Sequence, residues 1–276
     1  MHQQWDLRFT TIEYLPKGSE TEPQRFRYTT RIGLGIQVSG EGESIATRQS
    51  ADGQWTSALK FWSDQPISLI EWGSGYWKYI PEGASVRFLT WYDYQVRFGA
   101  PGKFFDWLLF RPLIGWATAW SFDALRLWLE QGIPPAQSIR RTYIQLTAQL
   151  ALAGTWVYQG LVPKLLFPDT GELAILRATG LFDGLEPLVL TIVGGGQIIF
   201  GTIFLAFGFR AWLHYLNICV LIALGWGALL GDKALLIAPF NPVSLTLAMV
   251  ALSVISIVNA KDLPAAGNCL RKPHKP

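Results

Sequence analysis

The periodicity of the chain changes twice. From residue 5 to residue 98, apolar and polar positions alternate. Phe26, Tyr28, Thr30 and Ile32 share one side of their stretch, opposite Arg25, Arg27, Thr29 and Arg31. Val86, Phe88, Thr90, Tyr92, Tyr94, Val96 and Phe98 oppose Arg87, Asp93, Gln95 and Arg97. A period of two with one charged face predicts half-buried antiparallel strands. Similar runs at 5–15, 35–48, 54–62 and 67–80 bring the count to six, separated by turn signals such as Pro16-Lys17-Gly18, Gly40-Glu41-Gly42, Asp52-Gly53 and Pro81-Glu82-Gly83. Gly73 and Gly75 are expected to mark a bulge or bend.

After Pro101-Gly102 the pattern becomes helical. Residues 103–131 predict one long helix, kinked at Pro112, with an apolar set too broad for a single face. One side is expected on the sheet and the other on the bilayer. Gly132-Ile133-Pro134-Pro135 reads as a stop and a short linker.

Beyond residue 140 the alternation disappears. Four runs, 142–163, 187–209, 211–231 and 234–260, contain no Asp, Glu, Lys or Arg. About 20 apolar residues span a hydrocarbon core, and at that depth the backbone must bond to itself, so four membrane helices are expected. In the last run Asn241 and Pro242 form a helix start, which shortens that span to roughly 242–259. A short helix around Glu172–Phe182 is expected against the membrane surface.

Composition sharpens this division. Residues 1–139 hold 13 Lys/Arg and 14 Asp/Glu, whereas residues 140–276 hold 10 and 6. Ten of the 13 tryptophans precede residue 140. The formal net charge of +3 argues against a nucleic-acid partner, and two cysteines make no disulfide scaffold. With four spans, Arg140, Arg141, Arg210, Lys261, Arg271, Lys272 and Lys275 fall on one side, against Lys164, Arg177 and Lys233. That imbalance predicts a multi-pass protein of a bacterial inner membrane with both termini cytoplasmic. The expected organisation is residues 1–135, residues 140–262, and a basic cytoplasmic tail, 263–276.

Candidate chemistry is sparse. His2, His214 and His274 are too scattered for a shared site, no dinucleotide-binding glycine motif occurs, and no metal site or catalytic residue is assigned. No charged pair suited to acid–base work is expected in the sheet. Polar groups at membrane depth are candidates because burying them is costly. Gln145, Gln149 and Gln159 share one helix face, and Gln197, His214 and Asn217 lie on later spans. Gln159, Lys164, Glu172 and Gln197 are taken as a polar site of the membrane part. Gly194-Gly195-Gly196 suits close helix contact. In the sheet part, Tyr28, Thr30, Trp55, Tyr92 and Tyr94, with Trp116 and Trp120 on the helix, are the residues expected to line a pocket for an apolar ligand.

Two resemblances carry these patterns further. The run GLVPKLLF (160–167), GEL at 171–173, the glycine-rich helix and FNPVSLTLAMVAL (240–252) resemble the DoxX-like family of small four-helix bacterial membrane proteins over about 140–262. Gln197 stands where the family pattern leads one to expect a glutamate. WDLRFTTIEYLP (5–16), RFRYTTRIGLG (25–35) and FFDWLLFRPLIGWATAWSFDALRLWLE (104–130) resemble one branch of the START-like, or SRPBCC, helix-grip superfamily. Its members curl a sheet around a long helix and hold a hydrophobic molecule between them. Relatives begin one strand and one or two helices earlier, so an upstream start or a lost edge strand is expected.

Together the resemblances imply an α+β domain, an antiparallel sheet with a long helix, followed by an all-α four-helix transmembrane bundle. The first implied function is a non-enzymatic, membrane-anchored protein that binds a hydrophobic small molecule or lipid through the helix-grip domain. The alternative is a quinone-interacting membrane subunit of an oxidoreductase, with a membrane redox partner. Quinone is the one cofactor the resemblance brings in.

Overall fold

The six expected strands form one antiparallel meander in the computed structural model, which describes residues 2–19, 21–32, 35–169, 171–237 and 241–270. Strands β1 (Thr11–Tyr14), β2 (Arg25–Arg31), β3 (Gln37–Gln49), β4 (Trp55–Trp62), β5 (Ile70–Glu82) and β6 (Ser85–Val96) are neighbours in chain order. The first is shorter than its pattern indicated, because residues 2–4 form a 3-10 turn and Asp6 turns the chain before pairing begins at Thr11.

Gly73 and Gly75 make no bulge. They pair in register with Tyr94 and Tyr92, and the register shifts lie at Ile70/Trp72 and Ser44/Ala46. Gly75 lies against the Trp91 carbonyl and the Tyr92 backbone, and Gly73 serves a neighbouring ring. A Cβ at Gly73 would strike the Phe61 ring, as one at Gly40 would strike Tyr28 and one at Gly42 would strike Phe26. Each ring belongs to the register partner of its glycine, so the aromatic side chain lies across the neighbouring strand.

The helix begins earlier than expected and is built in three pieces: α1 (Gly99–Phe105), a π-helical turn (Asp106–Phe110) and α2 (Arg111–Gln131). Pro112 lies in the first turn of α2, where its missing N–H leaves the preceding turn to widen. The helix packs on the face of the sheet that carries Phe88, Tyr92 and Tyr94. Phe122 meets Phe88 at 4.6 Å and Trp5 at 5.5 Å, and Phe110 meets Tyr94 at 6.0 Å.

The chain divides into two units, Met1–Pro135 with Pro264–Pro276, and Ala136–Leu263. The C-terminal segment, expected as a separate tail, thus groups with the sheet. Its cause is Asp123 on α2, whose carboxylate is enclosed and accepts from the backbone N–H of Ala265 and from Asn268 Nδ2, both at 2.8 Å. Cys269 Sγ donates to the Ala119 carbonyl at 3.2 Å.

The second unit contains α3 (Pro135–Gly160), a π-helical turn (Leu161–Leu166), α4 (Glu172–Ala178), α5 (Glu186–Phe207), α6 (Ala211–Gly231) and α7 (Pro242–Asn259). The start of α7 is as expected, with Asn241 accepting from the Ser244 N–H at 2.8 Å; residues 238–240 lie outside the described residues. By length and composition, α5, α6 and α7 can each cross a membrane. The fourth expected span lies within α3, where Arg140, Arg141, Gln145, Gln149 and Gln159 lower the hydropathy.

Helix α3 runs antiparallel to α5 along a seam of glycines. Gly160 packs on the Gly194 carbonyl, Gly201 on the Ala153 carbonyl and Val157, and Gly208 on the Gln149 side chain. Of the glycine triplet only Gly194 makes this contact; Gly195 and Gly196 face open space. Leu152, Trp156, Phe204, Leu213, Leu221 and Met249 form the core between the helices.

Candidate functional site

The three expected glutamines of α3 do different work. Gln145 and Gln149 are enclosed and bond the carbonyls at the end of α5, adding to the Gly208 N–H that already donates to Phe204. Gln145 Nε2 donates to the Gly208 carbonyl at 3.0 Å, and Gln149 Nε2 to the carbonyls of Phe204 and Leu205 at 2.8 and 2.9 Å. His214 Nε2 also lies 2.9 Å from the Gly208 carbonyl. Farther along, Trp156 Nε1 donates to Asn217 Oδ1 and Asn217 Nδ2 to Ser253 Oγ, each at 2.7 Å. These groups fasten α3, α5, α6 and α7 to one another.

The remaining members of the expected membrane site come together at the opposite end of α3. Lys164 lies on the π-helical turn, where Pro163 supplies no backbone N–H, and its side chain is 8% exposed. Its ammonium donates to Glu172 Oε1 on α4 at 3.0 Å and to the Gln159 carbonyl at 3.3 Å. Gln159 thus contributes its backbone rather than its amide. The Gly160–Gly194 contact brings α5 close enough for Gln197 Cβ and Lys164 Cβ to border it. Gln197 is buried, and its Oε1 has no hydrogen-bond partner among the described residues. A buried acceptor left unpaired costs roughly 1–3 kcal/mol, so it stands ready for a donor. On the facing turn, the Lys164 ammonium carries a positive charge held by Glu172 and the Gln159 carbonyl.

The residues proposed for the sheet pocket have settled partners. Tyr28 donates to the Trp62 carbonyl at 3.3 Å, Thr30 to the Arg8 carbonyl at 2.6 Å, and Tyr94 to Asp106 Oδ1 at 2.7 Å. Tyr92 and Thr118 share a hydrogen bond of 3.2 Å. Trp120 is buried, whereas Trp55 and Trp116 are each 46% exposed. Burial pushes the Tyr28 phenol up to about 12 and raises Tyr94 as well, where the Asp106 carboxylate adds to the effect. Two open surface depressions, one bordered by Ile139, Tyr143 and Ile255 and one by Glu71, Val96 and Arg97, include none of these residues.

The sheet unit does contain a buried ion pair, contrary to expectation. Asp6 Oδ2 lies 2.6 Å from Arg8 Nη2 and 2.8 Å from His2 Nε2, with the carboxylate fully enclosed. Burial alone would raise the Asp6 carboxyl; the charges and hydrogen bonds of Arg8 and His2 overcome it and hold the group well below the usual carboxylate range. A second buried acid, Asp106, accepts from Tyr94 and from Arg111 Nε at 3.0 Å. Neither was legible in the pattern, because each lies at a turn or on a helix beside apolar neighbours, and its partner is set by the fold. Among the described residues no group of His, Cys, Asp and Glu is placed to hold a metal ion.

The profile of the DoxX-like family matches residues 153–254, which includes Gln159, Lys164, Glu172 and Gln197. The chain is 46% identical over 178 residues to the uncharacterized membrane protein YndG of Bacillus subtilis (strain 168); the match covers 63% of this chain and 66% of that protein. The chain therefore spans slightly less than two thirds of the relative's length. No solved structure is a significant match.

Proposed function

We propose that this membrane protein with a DoxX-like domain binds a small amphipathic molecule at the Lys164–Glu172–Gln197 end of its helical unit, as a binding protein and not as an enzyme. The observation that carries the proposal is the buried, unpartnered Gln197 Oε1, on the same helix contact that the backbone of the buried Lys164 borders. A ligand carbonyl would accept from Lys164 and a ligand hydroxyl would donate to Gln197, while its apolar remainder lies in the bilayer. A monoacylglycerol-like lipid carries both groups, whereas a quinone offers the carbonyl and its reduced quinol the hydroxyl; the quinone case would make the chain a subunit that serves a redox partner. Mass spectrometry of lipids and quinones retained by the full chain in native nanodiscs tests it. Gln197→Leu is expected to lose the ligand while the bundle stays folded, and full retention would refute the site.

One observation favours a second site: α2 packs against the six-stranded sheet through Thr118 and Tyr92, which is compatible with the resemblance to helix-grip domains. A lipid bound there would have to part Tyr92 from Thr118 and Tyr94 from Asp106. Loss of the ligand in Tyr92→Leu, with retention in Gln197→Leu, would move the binding function to the sheet unit.

A further inference from the structure

The helix that covers the sheet carries a second, unpartnered face. Its inward stripe is Gly102, Asp106, Phe110 and Thr118. A Cβ at Gly102 would strike the Arg97 carbonyl, and the other three meet Tyr94 or Tyr92. Outside lie Phe104, Phe105, Trp107, Leu108, Leu109 and Leu113, with Trp107 69%, Phe104 61% and Leu108 58% exposed. So many large apolar side chains in one continuous stretch exceed the scattered exposure normal for a soluble surface.

The chemistry of the face identifies its occupant. Between Phe98 and Trp116 the only acid is Asp106, an unwelcome charge beside lipid. The widened π turn points it inward, where Tyr94 and Arg111 bond its two oxygens. What remains outward is apolar, edged by the cations Lys103 and Arg111, with the indoles of Trp107 and Trp116. Apolar groups with Trp and flanking cations suit the boundary between acyl chains and anionic headgroups. Only Gly132, Ile133 and Pro134 separate α2 from α3, so the face is carried by the same chain as the apolar helices α5 to α7. The geometry points to residues 103–116 as an in-plane membrane anchor that lays its outer face in the headgroup region of an anionic bilayer.

Depth measurement on the full chain tests this. Cys219→Ser and Cys269→Ser remove the native thiols, and a nitroxide is placed at Leu108→Cys in nanodiscs of phosphatidylethanolamine and phosphatidylglycerol. Ile192→Cys on α5 and Ala51→Cys in the β3–β4 turn serve as lipid and water references. The expected result is collision with a water-soluble nickel chelate several-fold lower than at residue 51, with oxygen collision close to that at residue 192. Nickel collision equal to residue 51 would overturn the proposal. So would low collision with both reagents, which means that protein, a second copy included, covers the face. Phe104→Cys repeats the measurement should Leu108→Cys not fold. Exchange of phosphatidylglycerol for phosphatidylcholine is expected to raise nickel collision, and an unchanged value would overturn the role given to Lys103 and Arg111.

Discussion

Asp6 shows how much of the sheet unit hangs on single side chains. Its carboxylate is enclosed and bonded to Arg8, whose backbone N–H also donates to it, while the neighbouring Leu7 N–H donates to Ser121 on α2. Removing one partner of a buried pair strands the other charge, at about 3–5 kcal/mol. Asp6→Asn is therefore expected to lower the urea midpoint of the sheet unit, followed by tryptophan emission in the full chain. The pH dependence has a fixed sign. With the folded carboxyl held below its unfolded value, the stabilisation is present above the ordinary carboxylate range and disappears as pH falls through the depressed folded value. Asp6→Asn should lack that acid limb, and an unchanged limb would assign it to another acid. At this scale the sequence showed little. Tyr28, Tyr92 and Tyr94 were legible as inward residues through their period of two, but nothing local told that their hydroxyls would bond the protein itself. Lys164, Glu172 and Gln197 were legible because a charge or amide at membrane depth stands out, whereas Asp6, Asp106 and Asp123 lie outside the expected spans and the partners that bury them are set by the fold.

Elements were the legible scale. All six expected strands appear, the first cut back to Thr11–Tyr14, and α4 and the Asn241 start of α7 follow their local signals. Alternation could not assign Gly73, because a glycine that seats a ring looks the same in sequence as a glycine that bends a strand. The seam of α3 and α5 separates two kinds of glycine in the same way. Gly201 faces the Ala153 carbonyl and Val157, while Gly195 faces open space. Gly201→Val is expected to destabilise the helical unit by about 1–3 kcal/mol through overpacking. Gly195→Ala should be neutral or mildly stabilising, since alanine restricts the helix backbone at no steric cost. Melting of both variants in the same nanodiscs checks this, and equal melting would remove the distinction. The Asp123 anchor makes a parallel case. Asp123→Ala removes the acceptor shared by Ala265 and Asn268, so amide exchange across 264–270 should accelerate markedly while α4 to α7 stay protected.

For the whole molecule, that same anchor bears on how often the chain crosses the membrane. Residues 264–270 bind α2 of the sheet unit, so the chain leaves that unit at Pro135 and returns to it at Pro264. Both points then share one side, and the number of crossings between them must be even. Helices α5, α6 and α7 can supply three by length and composition. By that parity α3, whose pattern is the least apolar, is expected to supply the fourth. Its polar groups do not forbid this: Gln145 and Gln149 turn to the carbonyls of α5 rather than to lipid. Arg141, near the start of α3, donates to the Asn259 carbonyl at 3.0 Å and to that of Lys261, so the start of α3 and the end of α7 meet at one end of the unit. Lys164 lies at the other end of α3, where the ion pair with Glu172 neutralises it. The expected outcome is that reporter fusions after residue 135 and after residue 270 report the same side, with a fusion within 181–184 on the opposite one. The Lys/Arg imbalance predicts the first two in the cytoplasm. A fusion at 270 reporting from the side opposite to residue 135 would break the parity, and the Asp123 anchor could then not form in the membrane.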